Sequence, residues 1–295
     1  MMNKMKITLL LLVSIISSGC ATTQSSDAKK IANYGGIDQI RDAKVPKDTE
    51  VALTDSKTYQ TAFNAMGTGV VTGNGLTLDN VGIGLAMTML SPRSDAARNS
   101  VFSFTPANEV KGDLLHFTHG QYEQSFKVLA KKENFNVATV IDRKYDKDWF
   151  AEKLLSAFIF QKPEIGCPIY DPDKAAGKAK EYCYFGIETY ISDDHREVKD
   201  GPEELSALGL ETKSVYRVDA GLEYHYSSVY INRPKTAIFN DLDVFEEISR
   251  NLPSYSFVYI APKGAQLSQD REDLLTFPIL FRSGEPMFFV VPEAE

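Results

Sequence analysis

The alternation of apolar and polar positions changes along this chain of 295 residues. Residues 7–16 form a nearly continuous apolar run, residues 21–50 carry few large apolar side chains, and apolar positions then recur as in a globular protein. A segment with few large apolar groups buries too little surface to offset the loss of chain entropy. We therefore predict a flexible tether over residues 20–50 and a globular domain over residues 51–295, with a possible subdomain break near residues 162–182.

Apolar side chains that recur every three or four positions predict helices in four segments. Asp79 is a possible N-terminal cap for the second of these helices, and Pro253 ends the fourth. The stretch from Glu123 to Glu133 fits either a helix or a strand. The four predicted helices are Ser56–Met66, Asn80–Leu90, Lys147–Phe158 and Asp241–Leu252.

Short segments rich in Tyr, Phe, Val and Ile predict strands, most of them in the C-terminal half. Asp219, Ala220 and Gly221 lie between two of these segments and predict a hairpin. Because helices and strands alternate without a regular strand–helix–strand rhythm, we predict an α+β fold with a mainly antiparallel sheet and several packed helices. The predicted strands cover residues 101–106, 136–142, 182–192, 214–219, 222–231, 256–262 and 287–291.

The N-terminus has the pattern of an export signal. Lys4 and Lys6 precede the apolar run of residues 7–16, which only Thr8 and Ser14 interrupt. Ten helical residues rise about 15 Å, which is half of a ~30 Å hydrocarbon core. The run is therefore typical of a signal peptide and too short for a membrane-spanning helix.

Residues Ser17–Cys20, with the sequence SSGC, resemble the lipobox of bacterial lipoproteins, with Ser17 where Leu is usual. The resemblance covers these first residues only. It implies that residues 1–19 are removed as a signal peptide and that Cys20 is lipidated with palmitate. Ala21 after the cysteine favours the outer membrane, with the domain facing the periplasm; the inner membrane and the cell surface stay open. The alternative is an ordinary signal peptide with an incidental cysteine.

Two further cysteines, Cys167 and Cys183, remain for the exported chain. An even pair in an oxidising compartment predicts a disulfide. It would enclose 15 residues, a loop for which chain entropy predicts about 3 kcal/mol of stabilisation. Two buried free thiols are the alternative, and a redox-active pair is disfavoured because the chain lacks a C-x-x-C motif.

The charge balance disfavours nucleic acid as a partner. The formal net charge is -8 and becomes -10 when Lys4 and Lys6 leave with the signal peptide. Nucleic-acid affinity depends largely on basic groups that neutralise phosphates, and this chain is acidic without a basic cluster.

A nucleotide cofactor is not expected either. TGVVTGNG at residues 68–75 and YDPDK at residues 170–174 look like the glycine loop and Tyr–Lys pair of short-chain dehydrogenases. However, the residues before the loop have a helical pattern where a strand is needed, and Pro172 interrupts the second motif. We therefore interpret these glycines as turn residues.

No catalytic or metal-binding constellation stands out. His116 and His119 would share a helix face and could bind a metal, but no third ligand has a recognisable spacing. We expect both histidines to be hydrogen-bonded or exposed, and we expect no metal.

The pair Glu246 and Glu247 is expected to face solvent. Two catalytic carboxylates of a glycan hydrolase would leave no mark in the sequence.

Two features are candidates for interaction with a partner. Gly82 and Gly84 lie in a short predicted helix that is apolar on every face, where small residues would let a partner approach. Tyr224 and Tyr226 alternate onto one face of a predicted strand, which suits a partner strand or a glycan. A buried core position is the alternative for both pairs.

These observations favour a lipid-anchored envelope protein that acts as a non-enzymatic partner-binding module of an envelope complex. The membrane would be contacted through the N-terminal lipid. A cell-wall or glycan hydrolase with paired carboxylates is the first alternative, and a ligand-binding lipoprotein is the second.

Overall fold

A computed structural model describes most of the chain from residue 25 to residue 292. It shows an α+β fold with an antiparallel sheet and a strand-rich C-terminal half, as predicted. The predicted helices Ser56–Met66 and Asn80–Leu90 lie outside the described residues. The described residues are 25–38, 40, 42–45, 95–148, 151–175, 179–192, 198–199, 201–220, 227–266, 274–275 and 277–292.

Ten of the described strands form one sheet in which every pairing is antiparallel. The order along the sheet is β11-β10-β9-β2-β8-β5-β4-β3; β7 also pairs with β2, and β6 with β7. These strands are β2 Ser100–Pro106, β3 Asn136–Asp148, β4 Ala151–Gln161, β5 Cys183–Ser192, β6 Val198–Lys199, β7 Val215–Val218, β8 Ser228–Asn232, β9 Ser256–Ile260, β10 Ile279–Arg282 and β11 Glu285–Phe288. Two short strands, β1 Ala43–Val45 and β12 Val290–Pro292, pair in parallel.

Side-chain caps begin the three longer helices. Ser26 accepts from the backbone N–H of Lys29 and Asp113 from that of His116, which satisfies donors that a helix start leaves unpaired. Asn240 accepts from Leu242 in the same way. The helices are α1 Asp27–Tyr34, α2 Leu114–Lys132, α3 Pro172–Ala175, α4 Glu204–Ala207 and α5 Asp241–Asn251.

The larger core lies between the sheet and the helices α2 and α5. Phe126 of α2 stacks on Phe185 with ring centroids 4.7 Å apart and meets Phe158 at 4.8 Å. Phe245 and Ile248 of α5 are 0% and 1% exposed in the same cluster. This face of the sheet is therefore closed by two amphipathic helices, as the predicted Asp241–Leu252 helix required.

A second core lies on the opposite face of the sheet. Phe102 and Phe104 of β2 point into it because successive side chains of a strand alternate between faces. Ile31 of α1, Leu205 of α4 and Phe257 of β9 complete its centre, all fully buried. The helices α1 and α4 thus cover the part of this face that β2, β7, β9 and β10 form.

Part of the predicted tether belongs to the fold. Residues 26–38, 40 and 42–45, here called the N-terminal arm, contribute α1 and β1. Ile31 and Ile37 are completely buried and Ile40 is 3% exposed. A few apolar side chains are enough to pack this segment onto the domain, because the sheet supplies the other half of the core.

Two local predictions need correction, and one open alternative is decided. Lys147–Phe158 is not a helix, since β4 starts at Ala151 and pairs with both β3 and β5. Its apolar positions fit a strand as well as a helix, and cross-strand pairing decides between them. The ambiguous stretch from Glu123 is part of α2 as far as Lys132.

The predicted hairpin at Asp219 is also wrong. The strand before it, β7, and the strand after it, β8, pair with consecutive parts of the same edge of β2 and not with each other in the described residues.

The predicted disulfide joins Cys167 to Cys183, with the Cα atoms 5.4 Å apart. Both cysteines are fully buried, and the bond attaches the 168–182 loop to the start of β5. Gly166 precedes it with φ +78°, and a Cβ there would lie 1.8 Å from the Thr236 carbonyl oxygen. Glycine is therefore required at the turn that brings the loop to the sheet.

We expect removal of the disulfide by the double substitution of Cys167 and Cys183 with Ser to lower the free energy of unfolding by about 3 kcal/mol, because the unfolded chain regains loop entropy. Urea denaturation of the oxidised protein and of the variant measures the difference. A reductant should shift the midpoint of the native protein and leave that of the variant unchanged; equal midpoints without reductant would contradict the prediction.

Candidate functional site

One part of the second sheet face differs from the rest. The core beneath α1 and α4 contains no residue of β4, β5 or β8 among the described residues. On these strands the same face carries Tyr184, Glu188 and Tyr190 of β5 and Tyr230 of β8, which follow from strand alternation. We call this surface, with Lys153 and Leu155 of β4, the tyrosine face.

Two half-buried tyrosines form the centre of the tyrosine face. The rings of Tyr184 and Tyr230 meet edge to face with centroids 5.9 Å apart. Gly186 lies beneath the second ring, and a Cβ at that position would come within 2.0 Å of Tyr230. Burial raises the pKa of Tyr184. A pair of tyrosines can contact apolar groups with its rings and form hydrogen bonds with its hydroxyls.

A charged pair lies next to the aromatic pair. Lys153 forms an ion pair with Glu188, whose side chain is only 12% exposed. The hydroxyl of Ser228 lies 3.5 Å from the same carboxylate. The tyrosine face therefore combines apolar rings with an oriented polar group.

The tyrosine face continues to the disulfide-linked loop. Tyr170 and Tyr182 pack edge to face with centroids 5.2 Å apart, and Asn232 of β8 donates to the carbonyl of Tyr182 at 2.6 Å. Ile169, next in sequence to Tyr170, is 70% exposed and is the most exposed of the described large hydrophobic residues. Ile169 thus adds an exposed apolar side chain at the loop that carries Tyr170.

A second polar cluster lies inside the molecule, between α2 and the other sheet face. His119 is 5% exposed, and its ring nitrogens lie 2.8 Å from the hydroxyls of Thr189 and Ser156. Ser156 also donates to Glu123, which Lys127 binds at 3.2 Å. These bonds fix the N-terminal half of α2 to β4 and β5.

The cluster has the residue types of a hydrolase but not the arrangement. In such enzymes a carboxylate holds the histidine nitrogen that faces away from the nucleophile. Here Thr189 occupies that nitrogen, and Glu123 binds the serine directly. Ser156 and Thr189 are fully buried. We interpret the cluster as structural.

His116 and His119 are both hydrogen-bonded, as predicted. His116 is exposed and pairs with Asp113 at 2.9 Å, while His119 points into the sheet. Within the described residues, no group of three or more His, Cys, Asp or Glu side chains could hold a metal ion.

We predicted that Glu246 and Glu247 on α5 face solvent. This is wrong for Glu247 and holds only in part for Glu246, whose side chain is 25% exposed. Glu247 is 8% exposed and binds Lys132 at 2.7 Å and Arg250, which also binds Glu246. Burial alone would raise the pKa of Glu247, but these cations and Asn251 outweigh it, so the pKa is lowered. Glu247 thus connects α5 to Lys132 of α2.

Several predicted site residues cannot be compared with the fold. Cys20, Gly82, Gly84, Tyr224 and Tyr226 all lie outside the described residues. Tyr230 and the pair of Lys153 and Glu188 were not predicted from the sequence. Tyr230 is an even number of positions from Tyr224 and Tyr226, so strand alternation alone could have placed it on the same face. The ion pair depends on how β4 and β5 align, which the sequence does not reveal.

Comparison of the chain with known protein families, with curated proteins and with solved structures finds no match. Among the residues that the structure describes, no helix combines the length and the apolar character that a membrane crossing needs.

The lowered pKa of Glu123 indicates that the attachment of α2 to Ser156 of β4 weakens in acid. Burial alone would raise its pKa, but hydrogen bonds from Ser156 and Lys127 and the charge of Lys127 outweigh burial and lower the pKa below 4.5. A lowered pKa in the folded state stabilises the protein above the unfolded pKa, and this contribution is lost as the pH falls through the folded pKa.

We therefore expect Glu123→Gln to reduce the free energy of unfolding at neutral pH and to reduce the further loss of stability below about pH 5. Urea midpoints at neutral and acidic pH measure both effects. Glu164→Gln, at an exposed position, is the control and should match the native pH dependence. A native-like pH dependence of Glu123→Gln would count against the prediction.

Proposed function

We propose that this protein is a lipid-anchored envelope protein that binds a protein partner through the tyrosine face and does not catalyse a reaction. The observation that carries the proposal is the set of three half-buried tyrosines, Tyr170, Tyr184 and Tyr230, with the exposed Ile169 next in sequence to Tyr170. Tyrosine is enriched at protein interfaces because it supplies a large contact area with few rotatable bonds and a polar tip.

The anchor follows from the SSGC motif at Ser17–Cys20. Each buried CH₂ group of an acyl chain contributes about 0.8 kcal/mol of membrane affinity, so several chains make release negligible. The membrane indicated by Ala21 is the outer one, with the domain in the periplasm. The disulfide between Cys167 and Cys183 agrees with an oxidising compartment.

Two features support binding over catalysis. Ser156 and His119 are withdrawn from solvent, and Glu246 and Glu247 are bound by cations. A paired-carboxylate hydrolase places its two acids on opposite sides of the bond that it cleaves. Glu246 and Glu247 instead follow each other on α5 and bind the same Arg250.

The anchor predicts that radiolabelled palmitate is incorporated into the protein expressed in a bacterium and that Cys20→Ala abolishes the label. Cys20→Ser provides a second variant with the same expectation. An unlabelled mature protein that is released without membranes would refute the anchor.

The partner-binding surface can be tested with a photocrosslinking amino acid at Tyr184, with Gln124 on the exposed side of α2 as the matched control. We expect one discrete adduct in intact envelopes from position 184 and none from position 124. The same adduct pattern from both positions would contradict a binding role of the tyrosine face.

Once the adduct identifies the partner, Tyr184→Ala should weaken its binding roughly tenfold, because a central aromatic residue at an interface contributes more than about 1 kcal/mol. Gln124→Ala should leave the dissociation constant unchanged. Native affinity of Tyr184→Ala would exclude this residue from the contact.

A further inference from the structure

The start of the folded domain lies very close to the expected lipid anchor. α1 begins at Asp27, and its cap Ser26 is separated from Cys20 by only five residues. The distance in sequence matters because the contour length of a chain sets an upper limit to its reach, whatever conformation it adopts.

Ser26 is fixed to the domain by more than its place at the helix start. Its backbone N–H donates to Asp42 at 3.1 Å and its hydroxyl donates to the same carboxylate. The side chain of Asp42 is 6% exposed and lies 3.8 Å from Lys29. The hydroxyl of Ser26 also accepts from the backbone of Lys29 at 3.1 Å. The chain therefore leaves the domain at a defined point.

The other end of α1 is fixed as firmly. The carbonyl of Tyr34 accepts from Arg217 at 3.1 Å, and the guanidinium lies 5.8 Å from the Tyr34 ring centroid. The carbonyl of Gly35 accepts from Ala220 at 2.7 Å. A Cβ at Gly35 would lie 2.4 Å from Phe102. The helix cannot swing away from the sheet without breaking these contacts.

The reach of the connecting segment is smaller than the domain. From Cys20 to Ser26 the chain spans at most about 20 Å when fully extended. A compact domain of this length has a radius of gyration of about 19 Å, which corresponds to a diameter of about 50 Å. A domain held at its surface by such a short connection cannot turn its opposite side to the membrane.

We propose that the side of the domain that carries α1 and α4 is turned toward the bilayer and that α2 and α5 lie on the side away from it. The proposal rests on the lipid anchor of the proposed function. It follows from the placement of α1 and α4 on one sheet face and of α2 and α5 on the other. The tyrosine face lies on the same side of the sheet as α1 and therefore also faces the bilayer, so its partner would be located at the membrane surface.

The membrane-facing side is held by the lipid and not by charge. Lys30 binds Glu204 of α4 at 3.2 Å and Asp27 at 3.6 Å, and Lys29 is paired with Asp42. Basic groups that are already neutralised by acids add little attraction to anionic lipid. We therefore expect the orientation to be insensitive to salt.

Fluorescence quenching in vesicles tests the orientation. The only cysteines besides Cys20 form the disulfide, so one added cysteine gives a single labelling site. Glu203→Cys places the label beside α4, and Gln124→Cys places it on the exposed side of α2; both native residues are exposed. The lipidated protein is inserted into phosphatidylethanolamine–phosphatidylglycerol vesicles that carry a quencher on the lipid headgroup.

We expect the label at position 203 to be quenched several times more than the label at position 124. Insertion of about twenty Gly and Ser residues between Thr23 and Gln24 extends the reach to about 90 Å and should remove the difference. Equal quenching with the native connection, or a difference that persists after the insertion, would overturn the proposed orientation.

The lipid content of the same preparation separates the two proposals. Mass spectrometry that finds acylated Cys20 together with equal quenching would refute the orientation and leave the anchor in place. Protein without an acyl chain at Cys20 would refute both.

Discussion

The packing of the N-terminal arm against β2 is the interaction on which the arrangement of the molecule depends. Ile31 and Ile37 are completely buried against a core that includes Phe102 and Phe104. Burial of one such side chain contributes about 1.5–3 kcal/mol. The arm closes half of a sheet face that would otherwise be exposed, and it determines where the chain leaves the domain toward Cys20.

The two faces of the sheet are therefore completed in different ways. One face is closed by α2 and α5, which are joined by the ion pair of Lys132 with Glu247. The other face is divided between the arm and the tyrosine face. The part of the other face that carries Tyr184 and Tyr230 is the surface that the proposed partner would contact. Binding and orientation are thus properties of the same side of the molecule.

Helix α5 and most of the strands could be predicted because local signals agree with the tertiary structure. Asn240 and Pro253 mark the ends of α5, and its apolar positions recur with helical spacing. Segment 147–158 shows the limit of such patterns: Leu154 and Phe158 are four apart, which suits a helix face, yet they also share one face of a strand. Pairing with β3 and β5 decides for the strand, and pairing is not visible locally.

The arm and the tyrosine face were harder to predict for the same reason. The polar composition of the arm led to the prediction of a flexible tether. However, Ser26 is a good cap, and Ala28, Ile31 and Ala32 share one helix face. Its stability comes from Phe102 and Ala220, which are far away in sequence. On the tyrosine face, strand parity places Tyr184 and Tyr190 together, but only the order of the sheet brings Tyr230 beside Tyr184.

Hydrogen exchange of the arm is the most direct measurement of its place in the fold. The N–H groups of Gly35 and Ile37 donate to the carbonyls of Ile31 and Ala32, both at 2.9 Å. If the arm is an integral part of the domain, these amides are protected to a degree similar to those of α5, because they open only when the sheet loses its cover. Exchange of the arm amides at the rate of an unfolded peptide, while α5 stays protected, would show that residues 26–45 are a tether after all.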